Sequence, residues 1–243
     1  MHELTDPRAA AQFIFDVTVS TLKNATDVDS CTALVAKADR RFEATFDHLR
    51  KEGAPIACKP GCNFCCHLRV TVAPHEAIAL FRYLRSQIPA AVAQQIEQRV
   101  LANAGQIAHM TEEQHWSKNL RCAFLVDGAC SAYRARPMAC ALHHSLDVDA
   151  CEVSYENPSD HSLGIRKLAV IEQTMAATQA GMSQALEEMG LSDEPMELHT
   201  AIAAVLRDQS LIERWRSGRA LLKPTQSHPT AGSGGLPDRG NEE

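Results

Sequence analysis

Eight of the nine cysteines in this chain stand in two compact groups, and no other feature limits its fold so sharply. The first group is Cys58-Lys59-Pro60-Gly61-Cys62-Asn63-Phe64-Cys65-Cys66, a CxxxCxxCC run. The second is Cys122, Cys130, Cys140 and Cys151, spread over a turn-rich stretch. A chain of 243 residues can bury a core of its own, so the thiols are not needed as staples. Nor does an odd cysteine count suit a closed disulfide framework. Residues 1–8 show no basic segment leading into an apolar one, and no apolar run reaches the roughly 18–20 residues that a bilayer crossing needs. These features predict a cytoplasmic chain with reduced thiols, where gathered cysteines hold a metal ion or cluster.

Charge narrows the partners. The net charge is −6, with acidic and basic residues mixed along the chain. No basic stripe or polybasic tail is present, which argues against nucleic acid and against an anionic membrane. The sequence names no protein partner; the expected one is the metal ion or cluster itself.

Apolar spacing predicts a mainly α fold, with helices packed around an irregular cysteine-rich metal-binding centre. An N-terminal helical segment covers residues 1–55: Phe13, Val17, Leu22, Leu34, Ala38, Phe42, Phe46 and Leu49 recur at helical spacing. A break is expected around Asn24–Asp29, and Gly53 with Pro55 should end the second helix. Residues 56–160 form the cysteine core with inserted helices. Within it Leu68–Val72 is β-prone, Pro74 suits the first turn of a helix, and a further helix carries Val92, Ile96, Val100, Ile107 and Trp116. The stretch 120–160 reads as mostly irregular, with one short hairpin at most. C-terminal helices fill 161–222. One runs from Ile165 to about Met189, ended by Gly190. The next is capped by Ser192–Pro195 and continues through Trp215. Residues 223–243 carry almost no large apolar side chains and are expected to be disordered.

Two thiolates reach one ion, at about 2.3 Å each, only across a tight turn. Cys62-Asn63-Phe64-Cys65 has the usual two-residue spacer, and the Pro-Gly of Cys58–Cys62 bends the chain. The wider spacers of the second group define no site alone but suit ligands recruited from separate turns. Adjacent side chains such as Cys65 and Cys66 tend to point apart. Eight thiolates could serve two tetrahedral zinc sites, or one four-cysteine iron–sulfur cluster with four thiols to spare. Spacing does not choose between these.

The two groups together resemble the CxxxCxxCC, or YkgJ-like, family of zinc- or iron-chelating cysteine-cluster domains. The first motif matches through Cys58, Cys62, Cys65 and Cys66. The second matches through Cys122-Ala123-Phe124-Leu125, Gly128-Ala129-Cys130, Tyr133, Arg136-Pro137 and Cys140, with Cys151 closing the set. Ala141 stands where a basic residue is frequent in that family. The resemblance covers about residues 58–151. It implies that Cys58, Cys62, Cys65, Cys66, Cys122, Cys130, Cys140 and Cys151 are the metal ligands, and it puts an iron–sulfur cluster ahead of zinc.

Three functions compete at this level. The leading one is a cytosolic zinc- or iron–sulfur-binding protein whose eight-cysteine cluster is structural or redox-active. The alternatives are an iron–sulfur-dependent protein methyltransferase, on resemblance to flagellin lysine methylase, and metal delivery or sensing. No nucleophile elbow, H-E-x-x-H or dinucleotide fingerprint is present, so no catalytic or organic-cofactor residues are named. Arg134 or Arg136 is a candidate donor to sulfur or a nearby carbonyl. His67, His143 and His144 are less favoured as ligands, and Cys31 reads as a small buried hydrophobe.

Overall fold

A computed structural model describes residues 2–23, 29–59 and 61–221. The fold is mainly α, as the apolar spacing predicts. Helix α1, Pro7–Leu22, begins where Asp6 accepts a hydrogen bond from the Arg8 N–H at 2.9 Å and Pro7 enters the first turn. Its buried face, Ala10, Ile14, Thr18 and Leu22, recurs every four residues. Helix α8, Ala169–Glu188, presents Ile171, Thr174, Thr178, Met182 and Ala185 to it. Gly181 sets how close the two come, since a Cβ there would lie 2.3 Å from the Ala11 carbonyl oxygen.

From this pair the helices continue as a row. Helix α2, Asp29–Lys51, packs on α1 and then on α3, Pro74–Ser86. Helix α9, Leu198–Arg207, packs on α3 and on α4, Ala90–Ile107. The core runs along the row through Leu34, Ile78, Leu84, Ile96 and Ile202. Helix α2 ends as expected. Gly53 takes φ +85, its N–H donates to Arg50 O at 3.0 Å, and the Ala54 N–H donates to Leu49 O at 2.9 Å. Gly190, φ +66, ends α8 in the same way. The break expected at Asn24–Asp29 falls largely on residues 24–28, outside the described residues, as does the tail beyond Leu221.

Four expectations are corrected. The helix marked by Val92 to Trp116 is two: α4 stops at Ile107, and the short α5, Glu112–Trp116, restarts behind its own Thr111 cap. Trp116 is half exposed and stacks under the Arg69 guanidinium instead of marking a core. The helix opened by Ser192–Pro195 starts later, capped by Glu197. It breaks at Asp208 before α10, Ser210–Arg216. The reason is pairing. Strand β4, Met196–Glu197, runs antiparallel to β1, Thr71–Val72, with Val72 opposite Met196, so the chain is extended where a cap was expected. Finally, the stretch 120–160 is less irregular than its composition suggests. It holds the hairpin of β2, Leu125–Val126, and β3, Ala129–Cys130, and the helices α6, Met138–Ala141, and α7, Val148–Glu156.

Candidate metal centre

Local backbone geometry places each cysteine. Cys62 closes a turn in which its N–H donates to Lys59 O at 3.1 Å, with Gly61 at φ +86. A 3₁₀ turn over Phe64–His67 then carries Cys65 and Cys66. In the hairpin, Asp127 and Gly128 both have positive φ, the two-residue turn whose twist matches paired strands. That turn puts Cys130 on β3. Cys140 sits on α6. Cys151 sits on α7, whose start is capped by Asp147 Oδ1 accepting from the Asp149 N–H at 3.0 Å.

The two motifs meet through backbone. Cys66 O accepts from the Cys122 N–H at 2.8 Å, and His67 O accepts from the Leu120 N–H at 3.2 Å. The Asn63 side-chain amide donates to Gly128 O at 3.2 Å, tying the first motif to the hairpin turn. Ala57 N–H donates to Ser145 O at 2.9 Å, tying it to the segment ahead of Cys151.

Electrostatic neighbourhood sorts the thiols. Cys58 feels Cys65, Cys62 and Cys151, and Cys151 feels Cys62 and Cys65. Cys140 feels Cys122, Cys130 and Cys65. Cys65 is common to both sets, and its thiol contacts that of Cys66 directly. The adjacent pair therefore does not point apart as expected. Successive side chains in a 3₁₀ turn differ by about 120°, not the half-turn of a strand. The eight are neighbours without yet sharing a point: among the described residues, no three Cys, His, Asp or Glu side chains form a group that could hold a metal ion.

All eight are partly buried free thiols. Burial pushes the Cys122 thiol up to about 12 and raises those of Cys58, Cys130, Cys140 and Cys151. Cys65 is raised first by its contact with Cys66 and then by burial. Partial compensation comes from backbone N–H groups on sulfur: Phe124 and Leu125 on Cys122, Ala132 on Cys130, Ser145 on Cys58.

Four buried groups that no motif flagged brace this arrangement. Ser145, 1 % exposed, meets the Cys58 sulfur through its backbone and the Cys151 sulfur through its hydroxyl. Glu76 on α3 accepts from the Ala73 N–H at 2.9 Å and from the Met138 N–H at 2.7 Å, which locks the helix carrying Cys140 to α3. His199 on α9 accepts at Nε2 from the Ala123 N–H at 3.2 Å, while its Nδ1 pairs with Glu197 at 2.9 Å. Asn103 on α4 touches the same Nε2 and donates to Arg121 O at 2.9 Å. Glu76, His199 and Asn103 lie far in sequence from the cysteines they support, and Ser145 lies far from Cys58, so no local pattern pointed to them.

The other candidates resolve plainly. Arg136 does not reach sulfur. It pairs with Asp39 at 3.3 Å and with Glu43, both on α2, and stacks 3.9 Å above the Tyr133 ring. Its charge still favours the thiolates of Cys65 and Cys130. His144 has both ring nitrogens engaged: Nε2 accepts from the Leu168 N–H at 2.7 Å, which leaves Nδ1 as the donor to Leu142 O at 3.0 Å. His67 packs edge-on against Tyr155 with its Nδ1 at 3.3 Å from Asn63 O. Cys31 is a buried residue of α2.

A helical frame carrying a thiol-lined segment of separate turns defines a metal-chelating class of protein. Residues 57–162 match a family described as CxxCxxCC, "putative zinc- or iron-chelating domain". No curated protein and no solved structure matches the chain. The chemistry of the donor set fits zinc or iron. Sulfurs brought together and partly desolvated stay protonated on their own, and a bound cation is what stabilises them as thiolates. No helix among the described residues is long and apolar enough to cross a membrane.

Proposed function

We propose that the chain holds zinc or iron on its eight clustered cysteines, in two groups of four. Cys58, Cys62, Cys65 and Cys151 form one group; Cys66, Cys122, Cys130 and Cys140 form the other. The observation that carries this is two sets of thiol neighbours that overlap at Cys65, with Cys66 set against Cys122 by a backbone hydrogen bond. N–H donors to sulfur in both groups support it, because such bonds stabilise thiolate over thiol. The role that follows is structural: a closed set of four thiolates leaves no open position for substrate. Bound metal would cross-link the turns of 57–67 to those of 120–151.

Metal and acid-labile sulfide analysis of protein purified without oxygen, with a visible spectrum, tests the reading. About two zinc ions and no colour, or iron with sulfide and charge-transfer absorption, each support chelation and name the metal. Protein that retains neither metal overturns it. Cys151→Ser and Cys140→Ser test the grouping. Each should lose about half the metal and keep the rest, whereas complete loss from both variants means one shared centre.

A further inference from the structure

A separate cavity of about 310 Å³ lies among α2, α3, α6 and α8. Its walls are largely apolar, with Phe42, Val72, Met138, Met175 and Met182 among them. The ionisable groups facing it are Asp39, His75, Glu76, Arg136 and Asp193. Three carboxylates against one guanidinium leave the cavity acidic, and that guanidinium is already held by Asp39 and by Glu43 behind it. Glu76 is likewise committed, to the N–H groups of Ala73 and Met138.

His75 is different. It is 2 % exposed, and its buried Nδ1 has no hydrogen-bond partner. Buried polar atoms are nearly always paired, so an orphaned ring nitrogen lining a cavity calls for a donor or acceptor from outside the chain. Burial keeps this imidazole neutral, and in its Nε2–H tautomer Nδ1 accepts. A bare metal ion does not suit the site, because no three candidate donors come together here among the described residues. An anion does not suit it either, since the one arginine facing the cavity is neutralised twice over. A molecule with an apolar body and a positive N–H end meets both the walls and the charge.

We propose that this cavity binds a small alkylammonium ion, its apolar body along Met138, Met175 and Met182, its charged end toward Asp39 and Asp193, and one N–H donated to His75 Nδ1. The proposal does not depend on the thiols holding metal. The cavity shares α6 with Cys140, so an occupant would also rest against the helix that carries that cysteine.

Titration of the isotope-labelled full chain at neutral pH with pentylamine, 1-pentanol and pentanoate, followed by amide NMR shifts, tests this. Pentylammonium should bind saturably, with the largest shifts at residues lining the cavity, and roughly ten-fold or more tightly than pentanol of the same length. Pentanoate should not bind. Gln179→Trp and Asp193→Asn change exposed positions at the mouth and should leave the fold intact. The first should abolish binding by filling the entrance; the second should weaken it roughly three- to ten-fold. Equal binding of pentanol, undiminished binding in Gln179→Trp, unchanged affinity in Asp193→Asn, or no saturable shift with the amine would each overturn the proposal.

Discussion

The α1–α8 contact and the segment from Leu120 to Cys151 are parts of one chain held by different forces. Between the two helices, small and apolar side chains repeat every three to four residues, and Gly181 lets one backbone ride on the other. That contact is area: many weak, interchangeable touches whose sum follows the apolar surface removed from water. In the cysteine segment the thiols themselves are only partly buried. Phe124, Ala132, Ala135 and Leu142 anchor the segment in the core, and the loops between them are held by single directional bonds from Asn103, His199, Glu76 and Ser145. A frame built on area tolerates the loss of one contact. Loops held by a few bonds between such anchors do not, and a metal that joins them would add ties that packing does not supply there.

Removing metal should separate the two regions most widely. Thiolate metal sites are worth on the order of 10 kcal/mol to the structure they close. A strong chelator under reducing conditions should therefore release amide protection across 57–67 and 120–151 while α1, α8 and α9 stay protected. Hydrogen exchange read residue by residue would show this, and uniform loss would break the distinction. Gly181→Leu is the converse test. Its side chain meets the Ala11 carbonyl, backbone that cannot swing aside, so α1 and α8 must part. A loss of about 3 kcal/mol in urea unfolding is expected, with metal content unchanged. Substituting His199 by Phe should cost about 2 kcal/mol. It leaves the Ala123 N–H without its acceptor and takes one hydrogen-bond partner each from Glu197 and Asn103. Unlike the Gly181 variant, it should also speed metal loss to a chromophoric chelator, because the Cys122 loop is freed.

The smallest expected effect is one of pH. Burial holds the His144 imidazole below the usual histidine range, and its Nε2 must stay unprotonated to accept from Leu168. The unfolded chain takes up that proton first, so stability should fall as pH drops below about 6.5. His144→Gln cannot titrate. Between pH 7.5 and 5.5 its denaturation midpoint should move less than that of the parent chain, and equal movement would assign the pH response elsewhere.

Helix existence was legible because burial leaves a periodic trace: Ala38, Phe42 and Phe46 all face the core of α2 as their spacing predicts. Helix limits were less so. Thr111 is a visible cap, yet Trp116 looked like a continuation of α4 because an aromatic at helical spacing does not reveal that its ring lies under Arg69 at the surface. At the centre, the cysteines were recognisable by type and spacing. Which of them become neighbours was not, since that depends on Cys66 O meeting the Cys122 N–H and on a 3₁₀ turn that brings adjacent thiols together. Arg136, singled out as a donor to sulfur or a nearby carbonyl, is instead held by Asp39 and Glu43 on α2, almost a hundred residues earlier.

Composition and local order thus determined the chemical character of this protein: eight clustered thiols, a helical frame, and turns at Gly53, Gly61, Asp127–Gly128 and Gly190 where backbone conformation demands them. Those properties belong to residues and their immediate neighbours, so they can be read along the chain. Tertiary structure alone decided which thiols face one another, which buried side chains hold their loops, and that an acidic cavity with an unpaired His75 opens beside Cys140's helix. Those properties depend on distances between residues far apart in sequence. Such distances are set by how apolar faces pack, and packing leaves no periodic signature in the loops it positions.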